Sequence, residues 1–310
     1  MKTRFALSVS AALLIGSAGL CGCSSSKQPD KDAAPVQQLS FATPEDAVTA
    51  LLYLADTNDK AYAKQLFGPE ASELSSDDPD RDAYERRLFA AALEKRHELR
   101  TNPDGSRSIL IGENNAEFPV PIIQTNGRWM FDTVAGVDKL EDMRIGYNEL
   151  KTIAALRALP AAQAEYFKSD HDGNGIHEYA RRLRSTEGKH DGLYWPATGP
   201  EDASPLGPYA ADADGYYSAD TGYNGYFFTL ITGQSASAPG GAKQYESNGL
   251  LVNGWGALAY PSHYGVTGIK SFIVNQDGVV YEKDLGAATP DAARTVTVFD
   301  PADGWTPVGN

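Results

Sequence analysis

Cysteine is nearly absent from this 310-residue sequence: its two copies, Cys21 and Cys23, stand close to the N-terminus. That scarcity excludes a disulfide-stapled scaffold and every cysteine-rich zinc module. Basic residues are a minority, 27 Lys and Arg against 41 Asp and Glu, for a formal net charge of −14. Such a balance argues against binding nucleic acid through its phosphates, or an anionic bilayer through a basic face. Familiar catalytic signatures are missing too. The sequence has no H-E-x-x-H, no G-x-S-x-G, no Walker loop and no Rossmann glycine pattern following a strand. Beyond residue 20 no run is long and apolar enough to span a bilayer. What is present is 42% hydrophobic and 10% aromatic sequence, enough for one large or two modest cores.

The N-terminus reads as an address. Lys2 and Arg4 precede the short apolar stretch Phe5 to Leu20, the pattern of a secretory signal, here residues 1–22. Leu20-Cys21-Gly22-Cys23 resembles the bacterial lipobox, with Gly22 in the small-residue place before the modified cysteine. That resemblance implies a diacylglyceryl thioether on Cys23 and an acylated N-terminus. Three chains, at about 0.8 kcal/mol per buried methylene, make such anchoring effectively permanent. Residues 23–40, rich in Ser, Lys, Gln, Pro and Asp, read as a lipidated flexible tether. Ser24, Ser25 and Ser26 follow without the Asp that retains lipoproteins in the inner membrane of enteric bacteria. The expected location is the cell envelope, at the outer membrane facing the periplasm.

Residues 41–145 read as a first α+β domain. Thr43-Pro44-Glu45-Asp46 is a helix start, with Thr as N-cap, Pro at N1 and acids in the first turn. Ala47, Val48, Leu51, Leu52 and Ala55 then recur at helical spacing. A second helix is expected over Asp82–Glu98, with Leu88, Phe89 and Leu93 on its apolar side, after a polar loop from Gly68 to Asp80. Downstream the period changes to strands around Ser108–Ile111 and Val120–Ile123, then the Asn126-Gly127 hairpin signal and Arg128–Asp132. Pro119 and Pro121 place the second of these strands at an edge or bulge. Two helices followed by a short sheet resemble the cone-shaped nuclear-transport-factor-like fold. The catalytic Asp–His pair of such folds is not evident, and His97 reads as a solvated helix residue.

Residues 146–310 read as a second α+β domain. A long helix from about Glu141 through Lys168 is expected to bury Ile145, Leu150, Ile153, Leu156, Leu159, Ala164 and Phe167, with a kink at Pro160. Strand-like runs follow at Gly225–Ile231, Gly256–Tyr260, Lys270–Val274 and Val279–Tyr281, the last after an Asp277-Gly278 turn. A long helix leaning on an antiparallel meander is an α+β arrangement.

The run from Asp172-Gly173-Asn174-Gly175 to Glu178-Tyr179-Ala180, then Gly188-Lys189-His190-Asp191-Gly192-Leu193-Tyr194-Trp195-Pro196, Ser204-Pro205-Leu206-Gly207-Pro208 and the closing Phe272 to Leu285, together resemble a bacterial lipoprotein family known as domain of unknown function 2950. The resemblance covers nearly all of the chain after the signal and implies no particular activity. A further pattern, from Ala155-Leu156-Arg157 through Gly225-Tyr226 to Tyr264-Gly265 and Asp277-Gly278, is similar to the globular heads of pseudopilins. It implies a helix packed across a small antiparallel sheet. The polymerising apolar helix of a pilin is missing, so filament formation is not implied.

Three groups of residues carry candidate chemistry. Asp170, Asp172 and Asn174 before Gly175 begin the recipe of a calcium loop, with the Ile176 carbonyl and Glu178 completing the set. Arg181 stands where such a loop places its bidentate Glu, so the site is shortened. The loop is expected to lead into a helix over Ile176–Leu183; its alternative role is a plain connector. Lys189, His190 and Asp191 read mainly as a structural turn, and His171 with His177 as a remote transition-metal pair. Tyr194, Trp195 and Tyr223, within an aromatic-rich stretch, are candidates for a binding surface, against their reading as core and sheet residues. The sequence reads as a lipid-anchored envelope protein of two α+β domains, a non-catalytic binding or assembly module whose expected partner is an envelope protein or glycan. The alternative is an envelope hydrolase with a non-standard site.

Overall fold

The structure is a computed structural model describing residues 37–74, 79–199, 202–207, 217–218 and 220–309. The expected signal, Cys23, most of the tether, Tyr209 and Tyr216 lie outside the described residues. The chain divides into two units, one ending at Met143 and the other beginning at Arg144. Both combine helices with antiparallel sheet, an α+β architecture. Among the described residues, no helix is long and apolar enough to cross a membrane.

In the first unit, helix α1 (Pro44–Thr57) begins at the expected cap. The Thr43 hydroxyl accepts the Asp46 N–H, and the Asp46 carboxylate accepts the Thr43 N–H, both at 3.2 Å. Helix α2 (Lys60–Phe67) follows, with the Asp59 carboxylate accepting the N–H groups of Ala61 and Tyr62. The expected polar loop after Gly68 instead holds a 3-10 helix, Pro69–Leu74, anchored by the buried side chains of Ala71 and Leu74. Helix α3 (Pro79–Lys95) ends before the expected Glu98 and leaves Leu88 exposed. His97 therefore lies not on a helix but at the start of strand β1 (His97–Thr101), where its Nδ1 donates to the Leu93 carbonyl.

Strands β2 (Arg107–Ile111), β3 (Ala116–Glu117), β4 (Ile122–Thr125) and β5 (Arg128–Phe131) complete an antiparallel sheet of order β1-β2-β4-β5, with β3 also beside β2. Asn126 and Gly127, at φ 54° and 76°, form the two-residue turn their sequence announced. The expected edge position is corrected. Strand β4 lies between β2 and β5, and it tolerates the prolines because pairing begins only at Ile122, past both. Leu51, Leu54, Leu66, Phe67, Phe118 and Phe131 are essentially fully buried and form the centre of this unit's core.

Helix α4 (Thr133–Tyr166) runs unbroken through Pro160 and starts eight residues before the expected Glu141. Its buried stripe in the second unit is Ile153, Leu156, Leu159, Ala162, Gln163 and Tyr166. Leu150 and Ala164 were expected in that stripe but are exposed, Leu150 by 68%. The 3.6-residue repeat gives the inward positions on that turn to Asn148, Glu149 and Thr152 instead. These polar residues dock the helix: Asn148 donates to the Thr267 carbonyl, and Glu149 accepts the N–H groups of Ile269 and Lys270.

Strands β6 (Tyr217–Ser218), β7 (Gly222–Tyr223) and β8 (Tyr226–Ile231) come next. Two small pairs follow, β9 (Gly233–Gln234) with β10 (Lys243–Gln244) and β11 (Glu246–Ser247) with β12 (Leu250–Leu251). Then come β13 (Gly256–Pro261), β14 (Lys270–Asn275), β15 (Tyr281–Asp284), helix α5 (Thr289–Thr295) and β16 (Thr306–Pro307). The main sheet is antiparallel throughout, in the order β16-β15-β14-β13-β8-β7-β6. Alternation divides its side chains between two faces. Tyr226, Ala257, Ala259, Phe272 and Val274 share a core with α4, while Ile231, Leu258, Ile273 and Phe299 form a second core with Ala293 of α5. Both faces are covered, so the central strands read as nearly continuous apolar runs.

Candidate functional site

Helix α4 ends at Tyr166, and from there to Leu206 the described chain carries neither α-helix nor named strand. Side-chain-to-backbone hydrogen bonds give it shape instead. Asp170 begins the first loop. Its Oδ1 accepts the Gly173 N–H and its Oδ2 the Gly175 N–H, each at 2.8 Å. Those N–H groups, Gly175 first, hold the Asp170 carboxyl below the usual range despite slight desolvation. Asn174 donates to Asp172 Oδ2 at 2.8 Å and accepts the Ile176 N–H at 2.7 Å. Positive φ at Gly173 and Gly175 lets the chain wind this tightly.

Glu178 takes no part in the hydrogen bonds among these three. Its Oε2 is buried without a hydrogen-bond partner, and burial, then the negative charge of Asp172, push its carboxyl up. Among the described residues, no three His, Cys, Asp or Glu side chains stand together as a metal-holding group. His171 stacks on Tyr166 with ring centroids 3.8 Å apart, whereas His177 meets Phe167 edge-on at 6.2 Å. The two histidines thus serve different aromatics.

The expected helix over Ile176–Leu183 does not form. Gln163, fully buried on α4, accepts the Ala180 N–H at 2.8 Å and donates to the Ala180 carbonyl at 3.0 Å. The Tyr179 N–H goes to the Leu251 carbonyl at 2.8 Å. These bonds commit Tyr179 and Ala180 to distant partners rather than to an i to i+4 ladder. The loop is also not a connector between two helices.

A second cluster lies further along. The Asp191 carboxylate closes one turn by accepting the N–H and hydroxyl of Thr186, at 2.7 and 2.8 Å. Asp202 closes another by accepting the same two groups of Thr198, at 2.9 and 2.8 Å. Trp195 lies between them in sequence. It is only 7% exposed, so the expected stacking surface is corrected to a core residue, whose Nε1–H donates to the Asp202 carbonyl at 2.9 Å. His190 stacks on the Trp195 ring, centroids 4.2 Å apart and planes within 17°, and its Nε2 stands 3.2 Å from Asp202 Oδ1. The Tyr166 hydroxyl donates to the His190 carbonyl at 3.1 Å. Burial, then the charges of Glu178, Asp191 and Asp172, push that hydroxyl up to about 12, so it remains a donor.

The turn of Lys189, His190 and Asp191 therefore does not converge on itself: Asp191 faces Thr186, while His190 takes Asp202. Sequence reading missed Asp202, twelve positions from its histidine, and no local spacing signals that pair. Tyr194 is half-buried under the Arg184 guanidinium, 5.5 Å from its ring centroid. Tyr223 sits on β7 with its ring 6.2 Å from Phe228.

Fold and site thus define a two-unit α+β protein with an irregular, hydrogen-bonded segment after α4. The chain belongs to the family described as Protein of unknown function (DUF2950), whose pattern matches residues 38–308. No curated protein and no solved structure matches the chain.

Proposed function

We propose that this is a lipid-anchored envelope protein, held at the outer membrane through Cys23, that acts by binding or assembly rather than by catalysis. The observation carrying this reading is how the segment after α4 spends its polar groups. Asp170, Asp172, Asn174, Asp191 and Asp202 all direct side-chain oxygens at N–H groups of their own turns. Such bonds build a shaped surface, the usual need of a module recognising an envelope protein or glycan. The envelope hydrolase remains the alternative, with His190 and Asp202 as its acid–base pair. We read the first unit as nuclear-transport-factor-like, supported by helices α1 to α3 preceding a small antiparallel sheet. We read the second as a pseudopilin-type head, supported by α4 packed along one face of its sheet.

Two experiments test this reading. Cys23→Ser is expected to move the protein from the membrane pellet to the soluble periplasmic fraction; retention in the pellet after a high-salt wash rejects the anchor. A photo-crosslinking residue placed at Ile176 or Lys189 in intact cells is expected to yield one reproducible adduct, absent when it replaces Thr229. Equal labelling from all three positions, or from none, rejects the binding surface.

We further propose that calcium binds weakly at Asp170, Asp172, Asn174, the Ile176 carbonyl and Glu178. The favouring observation is Glu178, whose carboxylate is destabilised by burial and by the charges of Asp172 and Asp170. A divalent cation among hard oxygens relieves that repulsion.

A further inference from the structure

Two side-chain hydrogen-bond closures, Thr186 to Asp191 and Thr198 to Asp202, flank Trp195 in sequence. One side chain joins them. His190 belongs to the first turn, stacks on Trp195 at 4.2 Å, and reaches Asp202 of the second turn at 3.2 Å. Asp202 is well placed to receive it, because the Thr198 N–H and hydroxyl and the Trp195 Nε1–H already fix the carboxylate. The His190 side chain is about half exposed, so protons reach it from solvent.

We propose that His190, Asp202 and Trp195 form a pH-responsive latch, in which charging of His190 pins the two turns together over Trp195 and loss of that charge loosens them. Two interactions strengthen when the imidazole gains its second proton. The contact to Asp202 becomes a charge-assisted hydrogen bond, and the ring becomes a cation lying on an indole face. Histidine is the side chain whose unperturbed charge change falls between pH 5 and 8.

The other groups near the latch leave this sign unchanged. From α4, Tyr166 donates to the His190 carbonyl and stays protonated. His171, stacked on Tyr166, is 6.2 Å from the Trp195 ring, farther than His190. Within the histidine's own turn, Asp191 is held by Thr186 and feels Arg182, while Lys189 is exposed. The contact to Asp202 and the stack on Trp195 are each stronger with a charged imidazole, and that sets the sign the experiment reads.

An imidazolium stacked on an indole quenches its fluorescence, so Trp195 reports the latch directly. The measured quantity is the emission of the full chain minus that of Trp195→Phe, followed from pH 8 to pH 5. Emission is expected to fall toward pH 5, to keep falling in His171→Gln, and to stay flat in His190→Gln. No fall in the native protein, or the same fall in His190→Gln, overturns the latch. The unsubstituted chain supplies an independent test should a variant fold poorly. After correction for intrinsic rates, exchange of the Thr198 amide is expected to be two- to fivefold slower at pH 5 than at pH 8, the size of an exposed ion pair. Equal protection at both pH values overturns the proposal.

Discussion

Glu117 offers a direct test of how much one half-buried carboxylate contributes to the first unit. Its Oε1 accepts Lys139 Nζ at 2.6 Å and the Ser108 hydroxyl at 2.8 Å, and its Oε2 accepts Arg100 Nη2 at 2.6 Å. Partial burial pushes this carboxyl up, but the hydrogen bonds from Lys139, Ser108 and Arg100 outweigh it and hold it at about 2. Taken at face value, the displacement from 4.5 is worth about 3.4 kcal/mol at 1.36 kcal/mol per unit. Lys139 and Arg100 are 40% and 49% exposed, so water screens them, and about 1–2 kcal/mol is the realistic share.

The folded value is depressed, so this stabilisation is fully present above the unfolded glutamate value and disappears as pH falls from about 4.5 toward 2. Glu117→Gln keeps the shape and removes the charge. Urea titrations at pH 7 are expected to show the variant about 1–2 kcal/mol less stable, and the gap is expected to narrow progressively below pH 4.5. A variant as stable as the native chain at pH 7 would refute the reasoning. So would a gap that stays constant down to pH 3, since that points to packing rather than charge.

Three further outcomes follow from close approaches and from linkage. Gly268→Ala would put a Cβ 1.9 Å from the hydroxyl and 2.5 Å from Cζ of Tyr226, a buried ring whose hydroxyl donates to the Lys270 carbonyl. A loss of more than about 2 kcal/mol in chemical denaturation is expected, and a neutral result sinks the packing argument. Gly136→Ala sets two effects against each other: alanine favours a helix by roughly 1 kcal/mol, but its Cβ would stand 2.6 Å from Val120 Cγ2 and 3.0 Å from Val120 Cα. Overpacking against backbone is expected to win, lowering the melting temperature; a rise would show that Val120 moves aside. Calcium at 1 mM, with Kd about 10⁻⁴ M, is expected to stabilise the chain by about 1.4 kcal/mol and raise its melting temperature a few degrees. Substituting Ala for both Asp170 and Asp172 should abolish that shift, and its absence in the native chain removes calcium from the account.

Where the folding signal is local, the sequence by itself determined the outcome. Thr43, Pro44 and Asp46 specify the start of α1 within four residues, because a helix cap is satisfied by its own first turn. Asn126-Gly127 specifies its hairpin because those two residues tolerate positive φ. The apolar runs that became β8, β13 and β14 were legible for a related reason, since strands covered on both faces need no polar alternation. The family, too, was legible, because its motifs are contiguous stretches of residues.

Tertiary structure alone decided the places where a distant group competes for a backbone or side chain. Ile176–Leu183 is irregular because Gln163, 17 positions from Ala180, claims both of its backbone groups. Leu150 faces outward because Asn148 and Glu149 dock that turn of α4 on the backbone of Thr267, Ile269 and Lys270. Trp195 is buried because it joins the core shared by α4 and the main sheet, and His190, stacked on that ring, meets Asp202, twelve positions away, rather than the adjacent Asp191. Periodicity and spacing record only what neighbours in sequence can do. These contacts depend on folding that brings separated segments together, and they fix the geometry of the candidate site.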